Sequence, residues 1–122
     1  MHTVAFFHGF VRDAAEAGMS EAEIENLVLF LSENPDAGVE IVGTGGCRKL
    51  RIAGRGRGKS GGFRVVTFYS GVHIPLFLLT VFAKGEKDNL TKAERNDLHL
   101  ITKAIVHEYR QRAAAASKKK GT

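Results

Sequence analysis

The segment from Gly43 to Ser70 constrains the fold more than any other part of the sequence. Its residues, GTGGCRKLRIAGRGRGKSGGFRVVTFYS, predict two β-strands joined by a loop rich in glycine and arginine. Side chains alternate across a strand, so Lys49 and Arg51 share one face while Leu50 and Ile52 share the other. One face of this hairpin is therefore suited to a polyanion and the other to a hydrophobic core.

Charge is distributed unevenly along the 122 residues. Residues 1–37 contain one basic and seven acidic side chains, net −6, whereas residues 38–122 contain 17 basic and six acidic ones, net +11. This segregation and a pI near 9.6 favour a nucleic-acid partner over a small neutral substrate. Seven of the basic residues lie in the hairpin segment: Arg48, Lys49, Arg51, Arg55, Arg57, Lys59 and Arg64.

The hydrophobic pattern predicts one α+β domain over residues 1–116, followed by a basic flexible tail over residues 117–122. Short connections between the later strands favour an antiparallel sheet, and we expect the helices to pack on one of its faces. The expected order is β-α-α-β-β-β-β-α, with two helices near the N-terminus and one at the C-terminus. Strands are expected over residues 3–7, 39–42, 49–52, 63–69 and 76–82.

Two helix starts carry a specific signal. Ser20 with Glu23, and Thr91 with Glu94, have the spacing of a capping box, in which each side chain accepts a hydrogen bond from the backbone of the other residue. We therefore expect the second helix to begin after Ser20 and the last helix to begin after Thr91.

The segment from Ala53 to Ser60, AGRGRGKS, matches a loose form of the phosphate-binding loop of nucleotide hydrolases. That loop requires a helix directly after its lysine and serine, whereas Gly61 and Gly62 and a predicted strand follow here. We therefore interpret the segment as a flexible hairpin loop whose arginines contact phosphates. A solubilising surface loop is the alternative.

The sequence predicts neither a disulfide nor a metal or other cofactor. Cys47 is the only cysteine, which suits a reducing compartment, and we expect it to pack near a glycine bend rather than to act as an activated thiol. The five histidines lack metal-ligand spacing. No signal peptide is apparent, and the longest apolar run, Ile74 to Ala83, is about half a membrane span. A cytoplasmic protein is expected.

A group of cations is the remaining candidate for chemistry. Lys49, Arg51 and Arg64 are expected on adjacent strands, with Lys84 and Lys87 just beyond the last strand. Such a site can cleave RNA because the 2′-OH of RNA is itself the nucleophile. Arginine stays charged and can only stabilise the developing negative charge. A lysine surrounded by other cations releases its proton more readily, so Lys49 or Lys84 is a candidate base.

Other side chains of the basic region are expected to bind RNA around this site, with one tyrosine as a platform for base stacking. They are Arg48, Arg55, Arg57, Lys59, Tyr69 and His73.

The segments GTGGCRKLR, GKSGGFRVV and FAKGEKDNLT resemble the RelE/HigB superfamily of bacterial toxins, which are ribosome-dependent mRNA endonucleases. The HigB-type branch has a similar series of motifs, here spread over residues 34–91, and with the helical flanks the likeness covers nearly the whole chain. The resemblance implies a small antiparallel sheet flanked by helices, cleavage of mRNA in the ribosomal A site, and neutralisation by a HigA- or RelB-like antitoxin.

The resemblance also implies site residues. It places the basic pair of the catalytic strand at Lys49 and Arg51, the arginine of the next strand at Arg64, and the basic cluster after the last strand at Lys84 and Lys87. The sequence departs from some RelE toxins at position 85, where glycine stands in place of arginine, and their C-terminal tyrosine has no clear match.

Two other hypotheses compete with the endonuclease. A ParE-like relative would share the scaffold and inhibit DNA gyrase by binding it, and a basic RNA-binding module would bind RNA with strong salt dependence and yield no product. Cations that converge on one sheet face favour the nuclease, because a protein-binding surface does not require them.

Overall fold

The computed structural model describes residues 1–54, 62–86 and 89–120, with the backbone alone for residues 118–120. The strands and helices follow the predicted order, and the five-stranded sheet with three helices confirms the α+β fold class. The strands are β1 (Val4–Phe6), β2 (Val39–Glu40), β3 (Cys47–Ile52), β4 (Phe63–Phe68) and β5 (Leu76–Ala83), and the helices are α1 (Phe10–Ala17), α2 (Glu21–Glu33) and α3 (Lys92–Lys120).

The sheet has the strand order β1-β5-β4-β3-β2. The pairs β2–β3, β3–β4 and β4–β5 are antiparallel, as their short connections predict. The pair β1–β5 is parallel, so the antiparallel expectation is wrong for β1. Two helices and three strands separate β1 from β5 in the chain, and no tight turn therefore dictates their relative direction.

Both faces of the sheet are buried. All six residues of β4 are buried, which is typical of a central strand covered on both sides. Helices α1 and α2 cover one face through Phe10, Leu27 and Leu31, and α3 covers the other through Leu98 and Ile105. The expectation that all helices share one face is therefore wrong. The strands carry apolar side chains on both faces, and each face needs its own cover.

The predicted helix starts are confirmed. Ser20 Oγ accepts a hydrogen bond from the Glu23 backbone N–H at 3.1 Å, and the Glu23 carboxylate accepts one from the Ser20 N–H at 2.9 Å. Thr91 and Glu94 form the same pair of bonds, at 3.1 and 2.9 Å, before α3. Each capping box thereby satisfies backbone donors that the first helical turn leaves without partners.

Helix α3 extends beyond the sheet. Its last contact with the core is made by Tyr109, and the side chains from Arg110 to Ser117 are exposed. The helix continues to Lys120, so the predicted division at residue 116 falls within α3, and residues 121–122 lie outside the described residues. No helix in the described part of the chain combines the length and apolar character needed to cross a membrane.

The β3–β4 hairpin closes with a very tight approach at Gly62. This residue has φ +105°, and a Cβ built there would lie 2.4 Å from the Ile52 carbonyl oxygen. Gly71 also has a positive φ, +84°, but a Cβ there would meet no atom within 4 Å. The two glycines therefore share a left-handed backbone and differ in the space around them.

We predict that Gly62→Ala lowers the free energy of unfolding by at least about 2 kcal/mol more than Gly71→Ala does. Both alanines bear the cost of a left-handed backbone, roughly 1–2 kcal/mol, but only the first also collides with backbone atoms. Urea unfolding followed by circular dichroism measures the difference. Equal losses in the two variants would show that the hairpin does not need this close approach.

Candidate functional site

The register of β3 against β4 places three predicted site residues on one face of the sheet. Arg51 lies directly opposite Arg64, and Lys49 lies opposite Val66. Side chains two positions apart share a face, so Lys49, Arg51 and Arg64 point to the same side. This is also the side that α3 covers, since Val66 belongs to the core beneath that helix. The convergence expected from the sequence is therefore present.

These three cations share a pocket with Lys84. The pocket has a volume of about 560 Å³, and no carboxylate is found among the described residues that line it. Lys84 follows the end of β5, and its backbone N–H donates to the Gly62 carbonyl oxygen at 3.0 Å, which fixes its position beside the start of β4. The other described residues that line the pocket are Gly38, Val39, Leu50 and Asn89.

Arg64 is a charged residue in a buried position. Only 8% of its surface is exposed, and its Nη1 atom is buried without a hydrogen-bond partner in the described part of the protein. Burying a charge without a partner is costly, and buried polar groups in folded proteins are normally hydrogen-bonded. Thr67 Oγ1 is also buried without a hydrogen-bond partner in the described part of the protein, but it belongs to a neutral hydroxyl and not to a charged group. An anion bound in the pocket would supply the missing partner of Arg64.

The facing arginines make this pocket more strongly positive. Like charges directly opposite each other on a sheet destabilise it, and Arg51 and Arg64 form such a pair. Planar guanidinium groups bind the oxygens of a phosphate through two parallel hydrogen bonds. The arrangement therefore suits a phosphate group that contacts both arginines.

Two pocket residues were not singled out in the sequence. Gly38 has φ +97°, and a Cβ there would lie 2.7 Å from the Lys49 carbonyl oxygen, so glycine lets the chain approach β3 closely. The sequence feature that could have indicated this role is the position of Gly38 just after the turn at Asn34-Pro35. Asn89 is exposed at the pocket edge and could have been noticed as a hydrogen-bonding residue beside the basic cluster.

Three predicted RNA-binding residues lie elsewhere. Arg48 is on the opposite face of β3, where its Nη1 donates to the Gly38 carbonyl oxygen at 3.4 Å. Tyr69 follows the end of β4, roughly 16 Å along the chain from Arg64, and its ring meets His2 edge-on at 5.0 Å. His73 is exposed in the β4–β5 connection. The expectation that Tyr69 stacks a base beside the cations has no support from this position.

Four other predicted residues fall outside the described part of the chain. They are Arg55, Arg57, Lys59 and Lys87.

Cys47 is fully buried under α3, which confirms the interpretation of a core residue. Burial raises the pKa of its thiol from 9.0 to about 11, against the smaller opposing effect of a hydrogen bond with Thr44. A reactive thiol requires a lowered pKa and access to solvent. Cys47 has neither property and is not a nucleophile.

A cavity larger than the cation pocket lies elsewhere in the described part of the protein. A groove of about 730 Å³ lies between β1 and α2, and apolar side chains such as Val4, Phe6 and Ile24 form most of its surface. It lacks the concentration of charge seen beside Arg64. The chemistry of the molecule therefore points to the smaller, polar pocket.

The sheet with its cation pocket defines a small α+β protein with a positively charged site. A family model described as the RelE toxin of the RelE/RelB toxin–antitoxin system matches residues 9–121. The chain therefore belongs to the RelE toxin family, and it is a toxin of a toxin–antitoxin system whose partner is an antitoxin.

We predict that the Cys47 thiol of the native protein reacts slowly with a disulfide reagent. At pH 8, a pKa raised by about two units lowers the thiolate fraction by roughly 100-fold, and burial adds a barrier to access. The rate of reaction with Ellman's reagent should therefore be at least ~100-fold lower in buffer than in urea. Because the chain has a single cysteine, the signal is unambiguous. Similar rates in both solvents would contradict the buried position.

Proposed function

We propose that this toxin is a ribosome-dependent, metal-independent mRNA endonuclease that cleaves message in the A site and thereby arrests translation. The observation that carries the proposal is Arg64, a buried cation. Within the described residues its Nη1 has no hydrogen-bond partner, and three other cations line the same pocket. Membership of the RelE family, whose toxins are in general ribonucleases, supports RNA as the substrate.

The proposed reaction is an internal attack on one phosphodiester bond. A base removes the proton of the 2′-OH, the 2′-oxygen forms a bond to phosphorus, and the bond from phosphorus to the 5′-oxygen breaks. An acid then protonates the departing 5′-oxygen. The products are a 2′,3′-cyclic phosphate and a 5′-hydroxyl, and no metal is needed to generate the nucleophile.

The four pocket cations divide these tasks by their chemistry. Arg64 and Arg51 bind the non-bridging phosphate oxygens and stabilise the charge that develops on them, since a guanidinium group stays protonated. Lys49 and Lys84 are the groups able to exchange a proton, and we assign them the roles of base and acid without fixing which is which. Donors already held in position need no rearrangement during the reaction.

The same proposal covers the partners. Lys87 is assigned to the catalytic cations together with Lys84, and Arg55, Arg57 and Lys59 are assigned to binding of the message around the cleaved linkage. A HigA- or RelB-like antitoxin is expected to neutralise the toxin, either by covering the cation pocket or by blocking entry into the A site. Ribosomes place this activity in the cytoplasm.

Purified toxin incubated with ribosomes and a defined message tests the activity. We expect cleavage products that end in a 2′,3′-cyclic phosphate, and no cleavage of a message with 2′-deoxyribose at the scissile nucleotide. Salt-dependent binding without product would favour an RNA-binding module. Inhibition of DNA gyrase without RNA cleavage would favour a ParE-like toxin.

We predict that Arg64→Ala lowers the cleavage rate by ~100-fold or more, as expected for the loss of a donor to the transition state. Arg64→Lys should recover only part of the rate, because it restores the charge without the planar pair of donors. Single-turnover cleavage on ribosomes measures both rates, with circular dichroism to verify folding.

Arg48→Ala is the control variant, and it separates the effect of the position of an arginine from the effect of its charge. It removes the same charge from the opposite face of the same hairpin, and we expect a loss of less than about 10-fold. A loss equal to that of Arg64→Ala would show that the cations act by general attraction, and the assignment of Arg64 would be wrong.

A further inference from the structure

A second basic surface runs along α3, separate from the cation pocket. We call it the α3 stripe, and all of its side chains are exposed. At 3.6 residues per turn they fall within a sector of about 80° of the helix, over a length of roughly 27 Å. Its members are Lys92, His99, Lys103, His107 and Arg110.

Acidic residues are absent from this sector. Helix α3 contains Glu94, Asp97 and Glu108, and helical geometry places all three on another side. Glu94 and Asp97 line a different cavity, beside the start of α1, and Glu108 forms an ion pair of 2.7 Å with Arg112. The positive charge of the stripe is therefore not neutralised by carboxylates on the same helix.

A glycine loop lies against the stripe. Thr102 Oγ1 donates to the Thr44 carbonyl oxygen at 2.9 Å, and the His99 ring nitrogen Nδ1 lies 3.3 Å from the Gly43 carbonyl oxygen. A Cβ on Gly45 would come within 2.8 Å of Thr102 Oγ1. The loop is thus held tightly to α3, and its glycines offer no side chains to keep a large ligand away.

A hollow of about 340 Å³ lies where the loop meets the stripe. Its lining includes Gly45 of the loop and three residues of the stripe, Lys103, His107 and Arg110. Among the described residues, none lines both the hollow and the cation pocket. It is a concave and positively charged surface that the proposed reaction does not use.

Both basic surfaces face the same side of the sheet. Helix α3 covers that side, and Lys49, Arg51 and Arg64 point to it. The glycine loop precedes Cys47, whereas the arginine pair lies at the other end of β3, about 13 Å away along the strand. One large partner can therefore contact the stripe and the pocket together.

We propose that the α3 stripe binds the sugar–phosphate backbone of structured ribosomal RNA while the cation pocket holds the message. This inference rests on the proposed function, because the ribosome is its partner. Sequence-independent binding of RNA requires cations spaced along a surface, and Lys92, Lys103 and Arg110 provide them in the stripe. Protein interfaces instead depend on large apolar or aromatic anchors. Leu100 is the one large apolar side chain that is strongly exposed on the described part of α3, and it stands alone.

The test is the double variant Lys103→Glu with Arg110→Glu. Its matched control is Arg12→Glu with Arg112→Glu, which makes the same change in net charge. Both control arginines are exposed, lie outside the stripe and sit beside a carboxylate. Affinity for purified ribosomes is measured by co-sedimentation at several salt concentrations, and cleavage is measured on the same ribosomes.

We expect the stripe variant to bind ribosomes at least ~10-fold more weakly than the control. The slope of log affinity against log salt should fall by about 2 in magnitude, roughly one for each phosphate contact removed. The loss should appear in the ribosome concentration needed for half-maximal cleavage more than in the rate at saturation. Thermal unfolding of both variants verifies that they are folded.

Three results would overturn the inference. The first is equal ribosome affinity in the stripe variant and the control. The second is a loss confined to the saturating rate, which would assign the stripe to cleavage. The third is unchanged ribosome binding with loss of the antitoxin complex, which would assign it to a protein partner. If the wild-type toxin binds ribosomes without cleaving message, the proposed function fails, and the comparison of affinities still decides this inference.

Discussion

The pairing of β3 with β4 is the constraint on which the rest of the structure depends. It sets Arg51 opposite Arg64 and so holds two like charges together on one face. That arrangement is unfavourable by itself, and hydrophobic cores on both sides of the sheet stabilise the strands that carry it. The concentrated positive charge therefore lowers the stability of the fold. Such a local cost is common at functional sites.

Local patterns in the sequence were enough to predict much of this arrangement. Alternation along β3 placed Lys49 and Arg51 on one face, and capping boxes at Ser20 and Thr91 marked two helices, because these features depend on neighbouring residues alone. The parallel pairing of β1 and the position of α3 depend on contacts between distant segments. The distance between Tyr69 and the cations was hidden for a similar reason, because Tyr69 follows the end of β4 whereas Arg64 lies near its start.

In the proposed function, one of the two basic surfaces cleaves RNA and the other docks on it. The cation pocket is small, contains a buried arginine and suits one phosphate. The α3 stripe is long and exposed, and it suits a backbone of many phosphates. Under the proposed function, this division would give the toxin specificity for ribosome-bound message, because cleavage would require a substrate that both surfaces can reach.

The position of the scissile phosphate tests the central claim most directly. The measurement is a structure of the toxin on a ribosome whose message carries 2′-O-methyl ribose at the cleavage position, so that the substrate stays intact. We predict that an oxygen of that phosphate lies within hydrogen-bond distance of Arg64 Nη1, with Arg51 on the same phosphate. A message bound against another surface, with Arg64 still lacking a partner, would contradict the account.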